Sequence, residues 1–185
     1  MRRAGAVWRA SRVAYSRGCV IPSNRGVIIT MDGKAHDVGK WDMLIAHPPC
    51  TYLSNAGARF LYPKGVLNEE RLRKGIQAKD FFLRFLWADI PKIAVENPLP
   101  SSVYCLPKYT QTIQPYQFGH PFKKKTCLWL KGLPELQPTD ELPADQIQST
   151  KIAGNWFNKG GKERQKNRSK TFPGIARAMA EQWGG

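Results

Sequence analysis

The chain has 185 residues, 42% of them hydrophobic, and a formal net charge of +15. That length suits one domain with a real core, with or without a tail, and no apolar run is long enough for a helical membrane span. A positive field of this size favours polyanions, of which nucleic acid is the commonest.

The charge is uneven. Six Arg and no acid precede Asp32, and a Lys- and Arg-rich stretch runs from Lys151 to Lys170. Clustering points to nucleic acid; a basic surface that only aids solubility is the plainer alternative. Cys19, Cys50, Cys105 and Cys127 include no closely spaced pair, and His36, His47 and His120 are scattered. This is neither a disulfide framework nor a metal set, so thiols in a reducing, cytoplasmic setting are expected, with no metal.

Residues 1–30 read as a basic leader that ends in a strand over Gly26-Val27-Ile28-Ile29-Thr30, and residues 31–185 as the main domain. The leader has the Arg-rich, acid-poor look of a transit peptide but lacks a clean apolar segment or cleavage site. Asp37, after Gly33, reads as a turn residue. Met43 to Ala46 is a short apolar run of the kind that forms a buried strand. Pro48 and Pro49 then force the chain out of any sheet ladder. Cys50 therefore falls at the carboxyl end of that strand, where open α/β sheets place their sites, and a loop of small residues, Ser54 to Gly57, follows.

Asn68 can cap a helix, with Glu69 and Glu70 complementing its dipole. Leu72, Ile76, Phe82, Leu83 and Leu86 recur near helical spacing, so a helix is expected over Asn68 to Trp87 with that stripe in the core. Ile90-Pro91 ends it, and Lys92 to Glu96 reads as a strand parallel to the first. Such a βαβ unit brings Cys50 and Glu96 to one sheet edge, on strands about 5 Å apart. Pro98 to Pro121 mixes aromatics with Gln, which suits a base-stacking edge or an ordinary loop. Lys123, Lys124 and Lys125 are a phosphate-contacting triplet or a solvated run. Cys127 to Leu130 reads as a strand with Cys127 in the core, and Leu133 to Ala144 as an irregular connector. Pro173 opens a last helix, over Thr171 to Ala180, whose apolar side holds Ile175, Ala178 and Met179.

The sequence Pro48-Pro49-Cys50 followed by Ser54-Asn55-Ala56-Gly57 resembles the catalytic loop of the DNA cytosine-5 methyltransferases, with Thr51 and Leu53 where Gln and Phe are usual. Glu96-Asn97-Pro98 is similar to that family's Glu-Asn-Val signature, and Thr171 to Ala180 to its final Pro- and Ala-containing motif. The resemblance covers Asp37 to Phe122 and Arg168 to Trp183, and is to the compact proteins of bacteriophages and prophages. It implies a Rossmann-like S-adenosylmethionine-dependent sheet, incomplete at the N-terminus. No Gly-rich turn follows an apolar run there, and no acid is placed for the cofactor ribose. Cys50 would be the nucleophile and Glu96 the acid. Asp37, Pro48, Thr171 and Phe172 would meet S-adenosylmethionine. Pro49, Ser54, Asn55, Gly57, Asn97 and Lys123 to Lys125 would meet DNA, and a partner or second copy could complete the cofactor pocket. The implied setting is a bacterial cytoplasm, in DNA methylation or restriction-modification.

The alternative is a truncated remnant that binds DNA and no cofactor. A zinc deaminase needs a second Cys where Leu53 stands, and adenine amino-methyltransferases carry an aromatic where Cys50 stands. A Cys-His hydrolase using Cys50 with His47 or His120 has no identifiable orienting partner in sequence.

Overall fold

The computed structural model describes residues 27–29, 35–37, 41–148 and 171–184. The leader up to Gly26 and the basic stretch from Lys151 to Lys170 lie outside the described residues.

Val27-Ile28-Ile29 is a β-branched run that favours extended backbone, and it forms strand β1 (Val27–Ile29). It pairs antiparallel with β2 (Ala35–Asp37), with Val27 opposite Asp37. Asp37, expected in a turn, is thus in a strand. The correction has a simple cause: the apolar β1 recruits the next extended segment as its partner.

The main sheet contains β3 (Met43–Ala46), β4 (Lys92–Pro98), β5 (Gln111–Ile113) and β6 (Thr126–Lys131) in the order β3-β4-β6-β5. It is a mixed sheet in an α/β fold. The strands expected around Met43, Lys92 and Cys127 are present, and β5 is an addition inside the Gln- and Pro-rich segment. Strands β3 and β4 are parallel, pairing Met43 with Lys92 through to Ala46 with Val95.

Between them lie a one-turn helix, α1 (Asn55–Ala58), and the long helix α2 (Glu69–Leu86). The Asn68 side chain accepts a hydrogen bond from the Arg71 amide at 2.9 Å, and Glu69 and Glu70 occupy the first turn. Cap, helix and most of the expected stripe agree with the sequence, since Phe82 is buried and Leu72, Leu83 and Leu86 pack against the core; Ile76 does not. Gly75, Ala78 and Phe82 are its buried residues, whereas Ile76 is 50% exposed. The reason is the approach of Tyr104: a Cβ on Gly75 would fall 2.1 Å from the Tyr104 hydroxyl. The helix therefore turns its small residues inward and swings Ile76 toward solvent.

Phe82 packs edge-on against Trp129 of β6, ring centroids 4.9 Å apart, and Trp129 in turn meets Tyr109. The Trp129 indole N–H donates to the Pro107 carbonyl at 2.8 Å, so this ring is buried without an orphaned donor. Cys127 is fully buried in the same core, beside Ala46, Leu53, Ile93 and Val95.

The chain divides into two compact units. Among the described residues, one holds 27–29, 35–37, 41–111 and 127–133, and the other 112–126, 134–148 and 171–184. In the second, helix α3 (Pro173–Trp183) has Pro173 in its first turn and buries Ile175, Ala178, Met179 and Trp183. The Trp183 indole donates to the Pro134 carbonyl, and Gln182 and Gln137 exchange two hydrogen bonds. The connector Leu133 to Ala144 is thus irregular but tied down.

Candidate active site

The parallel register continues past the last paired residues, Ala46 and Val95. Its next positions are His47 and Glu96, and here the His47 Nδ1 contacts the Glu96 Oε2 directly. A carboxylate only accepts, so one proton lies between the two atoms, carried by the ring or by the acid. The pair is mostly buried, with side chains 17% and 16% exposed. One position further, the Asn97 side-chain amide donates to the Pro48 carbonyl at 2.9 Å. Asn97 is 2% exposed, so this bond satisfies a buried donor and acceptor together. Two successive cross-strand contacts therefore lock the Pro-Pro segment onto the end of β4. Pro49 and Cys50 continue from it, both partly exposed.

The loop after Cys50 is fixed at several points. The Ser54 amide donates to the Cys50 carbonyl at 3.1 Å, and the Ser54 hydroxyl caps α1 by accepting from the Gly57 amide at 3.3 Å. Leu53 to Asn55 then runs against Leu99 to Ser101. Asn55 N–H donates to the Leu99 carbonyl, Ser101 N–H donates to the Leu53 carbonyl, and Ser54 and Pro100 form an antiparallel bridge. Gly57 fits because it has no side chain: a Cβ there would sit 2.2 Å from the Thr51 carbonyl oxygen. The Arg71 guanidinium of α2 reaches back and donates to that same Thr51 oxygen at 3.2 Å and to the Gly57 oxygen at 2.9 Å.

The sequence-expected residues thus fall into separate groups. Pro48, Pro49, Cys50, Ser54, Asn55, Gly57, Glu96 and Asn97 all lie at the β3 and β4 strand ends. Within that group Asn55 is exposed, while Ser54, Gly57 and Asn97 are buried and hold the loop in shape. Lys123, Lys124, Lys125, Thr171 and Phe172 belong to the other unit. There the Lys124 ammonium lies 5.7 Å from the Phe172 ring, which also packs on His120 and Phe122. His120 Nε2 accepts the Gly174 amide at 2.9 Å, so its unprotonated nitrogen caps α3. Burial lowers the His120 pKa from its ordinary value, with Asp140 opposing that shift. Asp37 is placed in β2 by its backbone alone.

Arg71 is the residue that sequence reasoning did not assign to the site, and His47 entered only as a partner for Cys50 in the hydrolase reading, never as the partner of Glu96. The signal for His47 was present, since it stands opposite Glu96 once the parallel register is drawn. Arg71 carried none, being one of several cations on α2.

Cys50, Cys105 and Cys127 are thiols. Among the described residues no group of three or more His, Cys, Asp or Glu is placed to hold a metal, and no helix is long and apolar enough to cross a membrane. Chemically, the strand ends offer a partly exposed thiol and an imidazole–carboxyl pair that can hold or move one proton. They offer less to a nucleoside cofactor. Residues 47–58 and 96–101 carry a single carboxylate, Glu96, which His47 already engages. No family model, curated protein or solved structure matches the chain.

Proposed function

We propose that this chain is a DNA cytosine-5 methyltransferase-like domain, of bacteriophage or prophage type, acting on DNA in a bacterial cytoplasm. The observation that carries the reading is the β3-α2-β4 unit, which sets the Pro48-Pro49-Cys50 segment against Glu96-Asn97 through the His47–Glu96 and Asn97–Pro48 contacts. Carbon 5 of cytosine is a poor nucleophile. The Cys50 thiolate, adding to carbon 6, pushes electrons into the ring while Glu96 places a proton at ring nitrogen 3. Carbon 5 can then take an electrophile, and loss of its proton with expulsion of the thiolate restores the ring. S-adenosylmethionine, when bound, supplies the methyl group. The target base must leave the duplex to reach these residues. The His47 contact, which holds Oε2, orients the acid so that its other oxygen, Oε1, carries the proton to the base.

The described strand ends fit the base half of this reaction and not the whole of the cofactor half. Pro48, at the end of β3, is proposed to meet the cofactor, as is Asp37 of the same unit. A second copy or a partner chain is proposed to complete the pocket. Titration calorimetry with S-adenosylmethionine tests this without knowledge of the target sequence. Binding in the micromolar range is expected; no binding at millimolar cofactor, with salt-sensitive DNA binding retained, would leave a DNA-binding remnant.

One observation favours a second reading. Glu96 is the orienting partner that a Cys50–His47 hydrolase requires and that sequence alone did not supply. Release of p-nitrophenol from its acetate ester, dependent on both Cys50 and His47 and indifferent to DNA, would select that reading.

A further inference from the structure

The loop that carries Cys50 leads into an exposed run of apolar residues. Phe60 is 51% exposed, Tyr62 54%, Val66 69% and Leu67 39%, a concentration that a folded surface ordinarily avoids. The tip of this run is a tight turn, with Lys64 at φ 55° and Gly65 at φ 82°, both left-handed. The run is also cationic: from Met43 to Asn68 there is no acidic residue, while Arg59 and Lys64 lie within it. Of the next two carboxylates, Glu69 and Glu70, the second is held by Lys74.

Rings and guanidinium groups lie close together here. Arg71 lies 4.9 Å from the Tyr52 ring centroid and 5.3 Å from that of Phe60, and Arg59 lies 4.6 Å from the Phe60 centroid. The order is Tyr52, Arg71, Phe60, Arg59, beginning beside the nucleophile loop and ending at an exposed cation. Holding the loop needs only the Arg71 end, through its bonds to the Thr51 and Gly57 carbonyls. Phe60 and Tyr62 nonetheless leave about half of their surface open to solvent. A half-exposed aromatic ring with guanidinium groups beside it is what an unpaired nucleobase stacks on, and the cations suit its phosphates.

We infer that Tyr52, Arg71, Phe60 and Arg59 form a base-stacking platform for single-stranded or locally opened nucleic acid at the edge of the Cys50 site. The platform rests on the nucleic-acid part of the proposed function and not on methyl transfer. Strand binding at Phe60 reaches Cys50 through Arg71, which touches both the ring and the loop carbonyls.

The test is fluorescence anisotropy of the full chain with a short labelled single strand, repeated over a salt series. Phe60→Ala is expected to weaken binding about 5-fold to 100-fold, the range for losing one base–aromatic stack. Phe60→Trp is expected to retain it, which separates stacking from folding, and circular dichroism melts check both variants. Arg59→Ala should flatten the salt dependence by about 0.7 in slope, as for one lost phosphate contact on a single strand. Equal affinity of Phe60→Ala and the unsubstituted chain would overturn the platform, as would no binding by the unsubstituted chain. Phe60-dependent binding by a chain that transfers no methyl group would keep the platform and remove the enzyme.

Discussion

Asn97 offers the sharpest test of how the site is held. Its amide donates to the Pro48 carbonyl at 2.9 Å, and the side chain is 2% exposed. Asn97→Leu removes the donor at nearly constant size and leaves that carbonyl facing an apolar group. An unsatisfied buried acceptor costs about 1–3 kcal/mol, well above the net worth of an average hydrogen bond. For a domain of this size that is a fall in melting temperature of roughly 2–12 °C. Asn97→Asp should lose more, because it sets a carboxylate oxygen against the carbonyl oxygen. Urea unfolding followed by far-ultraviolet circular dichroism measures the stability, and alkylation of Cys50 by iodoacetamide reports the loop. The expected result is a lower midpoint for both variants, with Cys50 alkylated at an altered rate. A loss of unfolding free energy below about 0.5 kcal/mol with unchanged alkylation would refute the claim that this bond fixes the Pro-Pro segment.

Other consequences follow from the same structure. Asn68→Ala should cost about 1 kcal/mol in urea unfolding, since the α2 amide of Arg71 loses its cap. Gly57→Ala should destabilise by about 1–3 kcal/mol and slow any Cys50-dependent reaction, because the added Cβ would lie 2.2 Å from the Thr51 carbonyl. His120 should make stability pH-dependent: burial lowers its folded-state pKa below the ordinary 6.5. Its contribution is then full above pH 6.5 and is lost as the pH falls through the folded-state value. Thermal melts between pH 8 and 5 should show that decline, and His120→Gln should flatten it.

Much of the frame was legible because the residues that set it act locally. Asn68, Glu69 and Glu70 announce the start of α2, Pro91 marks its end, and Met43 to Ala46 has little choice but a buried strand. The pairing of the Cys50 loop with Glu96 followed from βαβ geometry, which constrains handedness and edge. What escaped depends on contacts between distant residues. The α2 stripe of Leu72, Phe82, Leu83 and Leu86 does face the core, but Gly75 and Ala78, also buried there, have little apolar surface and leave no mark in such a stripe. Ile76, about 100° around the helix from Gly75, is the member of the stripe left exposed. Strand β2 exists only because β1 pairs with it, so Asp37 looked like a turn residue. The roles of Ser54, Gly57 and Asn97 in shaping the loop required knowing how far each is buried, and Arg71 required the path of the loop.

The same distinction bears on function. Cys50 and Glu96 could be named from short motifs, whereas the sharing of a proton with His47 is a property of register. That contact is compatible with an acid oriented for a base and with a base oriented by an acid. The two differ in what they do to nucleic acid.

The most direct measurement is transfer of a tritiated methyl group from S-adenosylmethionine to unmethylated DNA, with 5-methylcytosine identified after digestion to nucleosides. The account expects label in 5-methylcytosine with the unsubstituted chain, none with Cys50→Ala, and a severe loss with Glu96→Gln. Folded, DNA-binding protein that yields no 5-methylcytosine, or yields the same amount with Cys50→Ala, would contradict it.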